Sequence, residues 1–170
     1  MLVVLLSLVL SVASCSKDDD NSSSSSGSVS VKLKGETVKF SNVYWHSEGG
    51  EIFIEFYSYD LNSNSWPKSI NYLGINYAVS GTPTGVSSVT LPSGDYHIYI
   101  AKNVTMDESE GWHGETLYQD TSNSPLIIQK NGNKYQISVE KATVGDDNTT
   151  AGLSINYNGT INKLPARYME

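Results

Sequence analysis

From Val29 onward the chain alternates apolar and polar residues with a period of two, the pattern of a half-buried strand. Val29, Val31 and Leu33 alternate with Ser30, Lys32 and Lys34 until Gly35 breaks the run, and Val38 and Phe40 flank Lys39. Within 51–60, Ile52, Ile54 and Phe56 fall on one face, with Glu51, Glu55 and Tyr57 on the other as a solvated outer face. The alternation is cleanest where Tyr135, Ile137 and Val139 oppose Lys134, Gln136, Ser138 and Glu140, and it returns in Leu153, Ile155 and Tyr157. Further strands are expected at 70–79, 86–91, 96–102 and 125–130. Turn residues punctuate these runs at Glu48-Gly49-Gly50, Ser93-Gly94-Asp95 and Asn131-Gly132-Asn133. No ten-residue window carries a helical apolar stripe, and 104–118 is too polar and too interrupted by glycine to bury one. The expectation is an all-β fold: an antiparallel β-sandwich or flattened barrel of about nine strands, built as a single domain over 29–170. The stretches 60–69, 80–88 and 103–124 are expected to be connections.

Composition adds a wet, tyrosine-rich surface. Eleven Tyr stand against three Phe, and Tyr packs its ring while keeping its hydroxyl in water. The net charge is −7, and all eleven Lys and Arg follow Cys15, so removal of the N-terminus leaves it unchanged. Nucleic-acid binding needs a basic stripe and none is visible. The chain has one cysteine, Cys15, which has no partner for a disulfide within the chain.

Residues 2–13, LVVLLSLVLSVA, are apolar except for serines. As a helix this run rises about 18 Å, too short for a hydrocarbon core of roughly 30 Å. Its length and position fit the apolar region of a signal peptide. The run ends in Val12-Ala13-Ser14-Cys15, which resembles the bacterial lipobox. That resemblance implies that 1–14 is a lipoprotein signal peptide and that Cys15 becomes the new N-terminus, carrying diacylglycerol on sulfur and a palmitate-type chain on its α-amine. Such chains anchor a protein to a membrane, each buried CH₂ contributing roughly 0.8 kcal/mol. No Lys or Arg precedes the run, where signals of this type carry basic residues, so the natural start is expected a few residues upstream.

Ser16-Lys17-Asp18-Asp19-Asp20 resembles the acidic export tag of surface-exposed lipoproteins of Bacteroidota. It implies an outer-membrane protein facing outward. Residues 15–28 are then the lipidated cysteine and a Ser-rich tether, whose flexible coil reaches roughly 20 Å. The order of a Gly94-Asp95-Tyr96 strand, a Gly132-Asn133 hairpin and a terminal Ile155–Gly159 strand is similar to small all-β lipoproteins of the same phylum. This likeness brings no activity with it.

Searches for catalytic chemistry are negative. The chain lacks a Gly-x-Ser-x-Gly elbow, a His-Glu-x-x-His pair, a phosphate-cradling glycine loop and an EF-hand pattern. Glu51 and Glu55 lie four residues apart on one strand, about 13 Å, wider than the ~5–9.5 Å of glycosidase carboxylate pairs. Neither an enzyme nor a cofactor is expected. Of the three histidines, His46 and His113 each follow a Trp and His97 follows Tyr96, and no spacing supplies the converging ligands of a metal site.

The segment Met106–Glu115, MDESEGWHGE, stands out inside its expected loop. Trp112 and His113 sit among Asp107, Glu110 and Glu115, and Trp66 lies in another loop. An indole offers an apolar face to sugar C–H groups and carboxylates accept hydroxyl protons, so these six residues are the candidate ligand-binding set. The alternative for each Trp, and the favoured one for Trp45, is that it caps the end of the core. Two readings stand: a surface lipoprotein that binds a glycan-type ligand, or a structural or adhesion component that presents its β-domain to a protein partner.

Overall fold

Alternation and turn chemistry together account for most of the backbone. The computed structural model describes residues 29–33, 36–63, 67–107, 111–146 and 150–166, without the side chains of 30, 32, 33, 106, 107, 111, 112 and 120–122. Among these residues the strands are β1 (Val29–Leu33), β2 (Glu36–Phe40), β3 (Asn42–Glu48), β4 (Glu51–Tyr57), β5 (Ile70–Ala78) and β6 (Val89–Leu91). They continue with β7 (His97–Asp107), β8 (Gly111–Ser122), β9 (Leu126–Asn131), β10 (Lys134–Gly145), β11 (Thr150–Gly159) and β12 (Asn162–Lys163). The segment expected to be a signal peptide, Cys15, the expected tether, Trp66 and Glu110 lie outside the described residues.

Nine strands follow one path, β12-β3-β4-β5-β7-β8-β10-β9-β6, and β11 joins it as a third partner of β10. The sheet curls into a half-barrel, so the all-β expectation holds. Its pairings are antiparallel except one: β12 returns parallel to β3, with Asn162 opposite Tyr44 and Lys163 opposite Trp45. The β1–β2 hairpin forms a small sheet of its own, and Lys102 of β7 reaches its Glu36 at 2.6 Å.

The curl encloses one main core. Ile52, Ile54 and Phe56 of β4, Leu73 and Ile75 of β5, and Ile98 and Ile100 of β7 pack with Ile137 and Val139 of β10 and Leu153, Ile155 and Tyr157 of β11. Phe56 meets Tyr157 edge to face at 5.5 Å, which shows that the two arms of the sheet oppose each other. Each large side chain so buried contributes about 1.5–3 kcal/mol. Trp45 is half-buried against the same core.

A bulge lets β10 serve both arms. Ile137 and Val139 are buried, then Glu140 and Lys141 are both exposed, then Ala142 and Val144 are buried again. The extra residue shifts the register against β11 between Val139 and Ala142, keeping both halves of the strand on the core. Ser124 clamps the site, its hydroxyl accepting from Lys141 N and donating to Lys141 O, each at 2.9 Å. The first half of β10 pairs with β9 and the second with β8.

Two of the three predicted turns close hairpins, whereas Ser93-Gly94-Asp95 joins β6 to β7, which pair with other strands. Gly49 and Gly50, with φ of 59° and 87°, join β3 to β4. Between β9 and β10 the ladder closes at Asn131 opposite Lys134, so the two-residue loop is Gly132-Asn133. Gly132 takes φ 62° at the first loop position, where a II′ turn needs its positive φ.

Candidate functional site

The expected connection at 103–124 is instead a long hairpin. β7 and β8 pair from Tyr99 opposite Tyr118 to Asp107 opposite Gly111. The glycine that disguised this strand has a local cause. β7 bulges between Lys102 and Thr105, and Asn103 there takes φ 52°, uncommon for any residue but glycine. A Cβ at Gly114 would lie 2.8 Å from Val104 Cγ2 and 3.0 Å from the Lys102 carbonyl oxygen, so the bulge admits only glycine opposite it.

This hairpin carries four of the six predicted site residues. Asp107 and Trp112 lie near its tip, where Trp112 pairs with Met106, and His113 and Glu115 are exposed on β8. His113 does not meet His46. The two stand on β8 and β3, four strand steps apart or about 19 Å at the usual spacing. Among the described residues, no group of three or more His, Cys, Asp or Glu is placed to hold a metal ion.

A second set of chemistry-bearing residues lies on the outer face of β3, β4, β5, β7 and β8, the face turned away from the main core. The register lines up Tyr44, Glu55, Gly74, Tyr99 and Tyr118 in one row across five strands. The next row holds Asn42, Tyr57, Tyr72, Ala101 and Thr116, and the row on the other side holds His46, Phe53, Asn76 and His97. Tyr57, Tyr59 and Tyr72 pack with buried Ile70, Ala101 and Val104 on this face, and Tyr59 also joins Tyr44, Leu61 and Leu164.

Glu55 is the centre of the arrangement. The expectation of a solvated outer-face charge is wrong for it: Glu55 is only 6% exposed. Burial of a carboxylate is expensive unless hydrogen bonds replace its water. Tyr72 donates to Oε1 at 2.7 Å and Tyr57 to Oε2 at 3.2 Å, while His46 Nε2 lies 3.5 Å from Oε1. His46 is itself held by stacking on Phe53, with ring centroids 4.7 Å apart. Glu51, half-buried four residues before Glu55 on the same strand, accepts from Asn76 Nδ2 at 2.8 Å.

The network extends outward through Tyr99, whose hydroxyl lies 2.6 Å from that of Tyr72. Gly74 makes this possible. A Cβ on Gly74 would fall 2.1 Å from Tyr99 Cζ, so the Tyr99 ring lies across β5 in the space a side chain would fill. Burial pushes the Tyr99 phenol up to about 12, with the Tyr72 hydrogen bond opposing and the Glu55 charge adding. Tyr72 is driven far higher, first by burial and then by the Glu55 charge beside it. Both phenols therefore stay protonated and able to donate at any physiological pH. Beyond them Tyr118 is 62% exposed, the large hydrophobic side chain most open to water among the described residues.

Sequence reasoning missed this network because its members lie on different strands. Two signals were present: tyrosines at positions out of phase with the core residues, and a glycine inside the apolar strand at 70–79, which marks a close approach. Comparison of the chain with family models, with curated proteins and with solved structures gives no match in any of the three.

Proposed function

We propose that this chain is a lipid-anchored outer-membrane protein, held through Cys15 and facing outward, whose β-domain binds a glycan-type ligand. The observation that carries the binding reading is the outer sheet face. It combines an exposed aromatic ring, Tyr118, with a buried carboxylate wired to tyrosine hydroxyls. Sugar recognition uses this pairing of a flat apolar ring with fixed polar groups. The β7–β8 hairpin carries Trp112, His113, Asp107 and Glu115 on the same two strands, with His113 and Glu115 alternating with Tyr118 and so on the other side of the sheet. The reading is of binding rather than catalysis, since Glu51 and Glu55 stand four residues apart on one strand and each is engaged by its own donors. The lipobox and the acidic tag at 16–20 support the anchor and its outward address.

A glycan array probed with the detergent-solubilised full chain tests the binding reading, with Trp112→Ala beside it. Binding by the wild type that weakens in Trp112→Ala supports the hairpin as part of the site. An array blank for the wild type removes the glycan reading and favours a structural or adhesion role. Labelling with radioactive palmitate tests the anchor: the wild type is expected to label, and a Cys15→Ala protein that still labels overturns it.

A further inference from the structure

The Glu55 network has a direction. An ionised carboxylate only accepts hydrogen bonds, so Tyr72 points its single hydroxyl proton at Glu55 Oε1 and Tyr57 points its own at Oε2. With the Tyr72 proton so placed, the 2.6 Å contact between the Tyr72 and Tyr99 hydroxyls requires Tyr99 as donor. Three hydroxyl protons thus run inward to one carboxylate. The Tyr99 oxygen is the last in this chain, an acceptor whose own proton is committed inward.

Charge points the same way. The paired positions Glu48–Glu51–Ala78, His46–Phe53–Asn76–His97 and Asn162–Tyr44–Glu55–Gly74–Tyr99–Tyr118 contain three carboxylates and no Lys or Arg. Such a surface suits a ligand that donates hydrogen bonds and carries positive charge, and it repels acceptor-rich anions. Tyr118 fits the same ligand, because an exposed phenol ring attracts ammonium groups through its π-face. From β5, over which the Tyr99 ring lies, to the Tyr118 strand is two steps, about 10 Å, which a short oligosaccharide spans.

We infer that this face selects amino sugars: a cationic oligosaccharide with one ammonium group at the Tyr99 end of the network and another on the Tyr118 ring. The inference rests on the glycan-binding reading and narrows it, setting uronate and sulfated glycans aside. A charge-assisted hydrogen bond is stronger than a neutral one, and replacing the ammonium by an acetamide removes both the charge and the cation–π attraction.

The test is a titration of the detergent-solubilised full chain with three probes: chitosan oligosaccharides, chitin oligosaccharides of the same length, and oligogalacturonates. Chitosan is expected to bind about tenfold or more tighter than chitin, a preference that shrinks as salt screens the charge. Tyr99→Phe keeps the ring over Gly74 and deletes the outer acceptor, so it is expected to lower the chitosan-to-chitin ratio with the circular dichroism spectrum unchanged. Equal affinity for chitin and chitosan, lost together in Tyr118→Ala, would overturn the selectivity for amines and leave glycan binding standing. Preferential binding of the galacturonates would also overturn it. Failure of the wild type to bind any probe or any glycan would remove both readings.

Discussion

The two faces of the sheet formed by β3, β4, β5, β7 and β8 are both partly buried, by different physics. Inside, Ile54, Phe56, Leu73, Ile75, Ile98 and Ile100 are covered by the opposing arm and held by apolar packing. Outside, Tyr57, Tyr72, Tyr99 and His46 gather round Glu55, held by hydrogen bonds and ring contacts. Apolar packing is non-directional and tolerates any ring of the right size. A hydroxyl network around a carboxylate is directional, and each change of donor or acceptor weakens it. The inner face therefore accounts for the stability of the fold, and the outer face for a fixed arrangement of polar atoms at its surface, which is what recognition needs.

Substitutions separate the two faces. Phe56→Ala removes a fully buried ring against Tyr157 and is expected to destabilise by about 3–5 kcal/mol in denaturant unfolding. A loss below about 1 kcal/mol would show that the arms are not packed as described. On the outer face, Gly74→Ala drives a methyl group into the Tyr99 ring and is expected to destabilise by about 1–3 kcal/mol. Adding Tyr99→Ala should recover part of that loss, whereas additive effects would separate the two residues. Glu55→Gln leaves an acceptor but puts an NH₂ where Tyr57 or Tyr72 donates, with an expected loss of about 1–3 kcal/mol. Tyr99→Phe deletes one hydroxyl at the edge of the network and should be the mildest change, about 0.5–1.5 kcal/mol.

High pH tests both faces at once. Burial raises the phenols of Tyr77 and Tyr157 in the core and of Tyr99 outside to about 12, against an ordinary value of 10.0. A raised folded-state value means the unfolded chain loses these protons first. The stability they contribute is therefore whole below pH 10 and disappears as pH rises from 10 towards 12. Tyrosinate absorbance in a pH titration should show a late-ionising fraction in the folded protein. A titration with all eleven phenols ionising near pH 10 would contradict the burial of these rings.

The inner face was legible in the sequence because a single rule generates it. Apolar residues at alternate positions of 51–57 and 150–159 became the core in the expected phase. β3 was harder to read. Its Val43 and Trp45 face the core and Tyr44 and His46 the outer network, so every position from 43 to 46 is aromatic or apolar and the alternation vanishes. β8 was hidden by Gly114, whose reason lies on the neighbouring strand. The outer network was out of reach, because it joins residues 46, 55, 72 and 99 through registers that no single segment contains. Glu55 looked solvated for the same reason: apart from Tyr57, the members of its network are 9 to 44 residues away in the chain.

The central claim is that the outer sheet face is a recognition surface and not a second core. The most direct measurement is Tyr118→Ala, with ligand affinity and melting temperature taken on the same protein. Tyr118 is mostly in water, so the melting temperature is expected to move by less than about 2 °C, while affinity for the glycan bound by the wild type falls about tenfold or more. Unchanged affinity in the folded variant would contradict the claim.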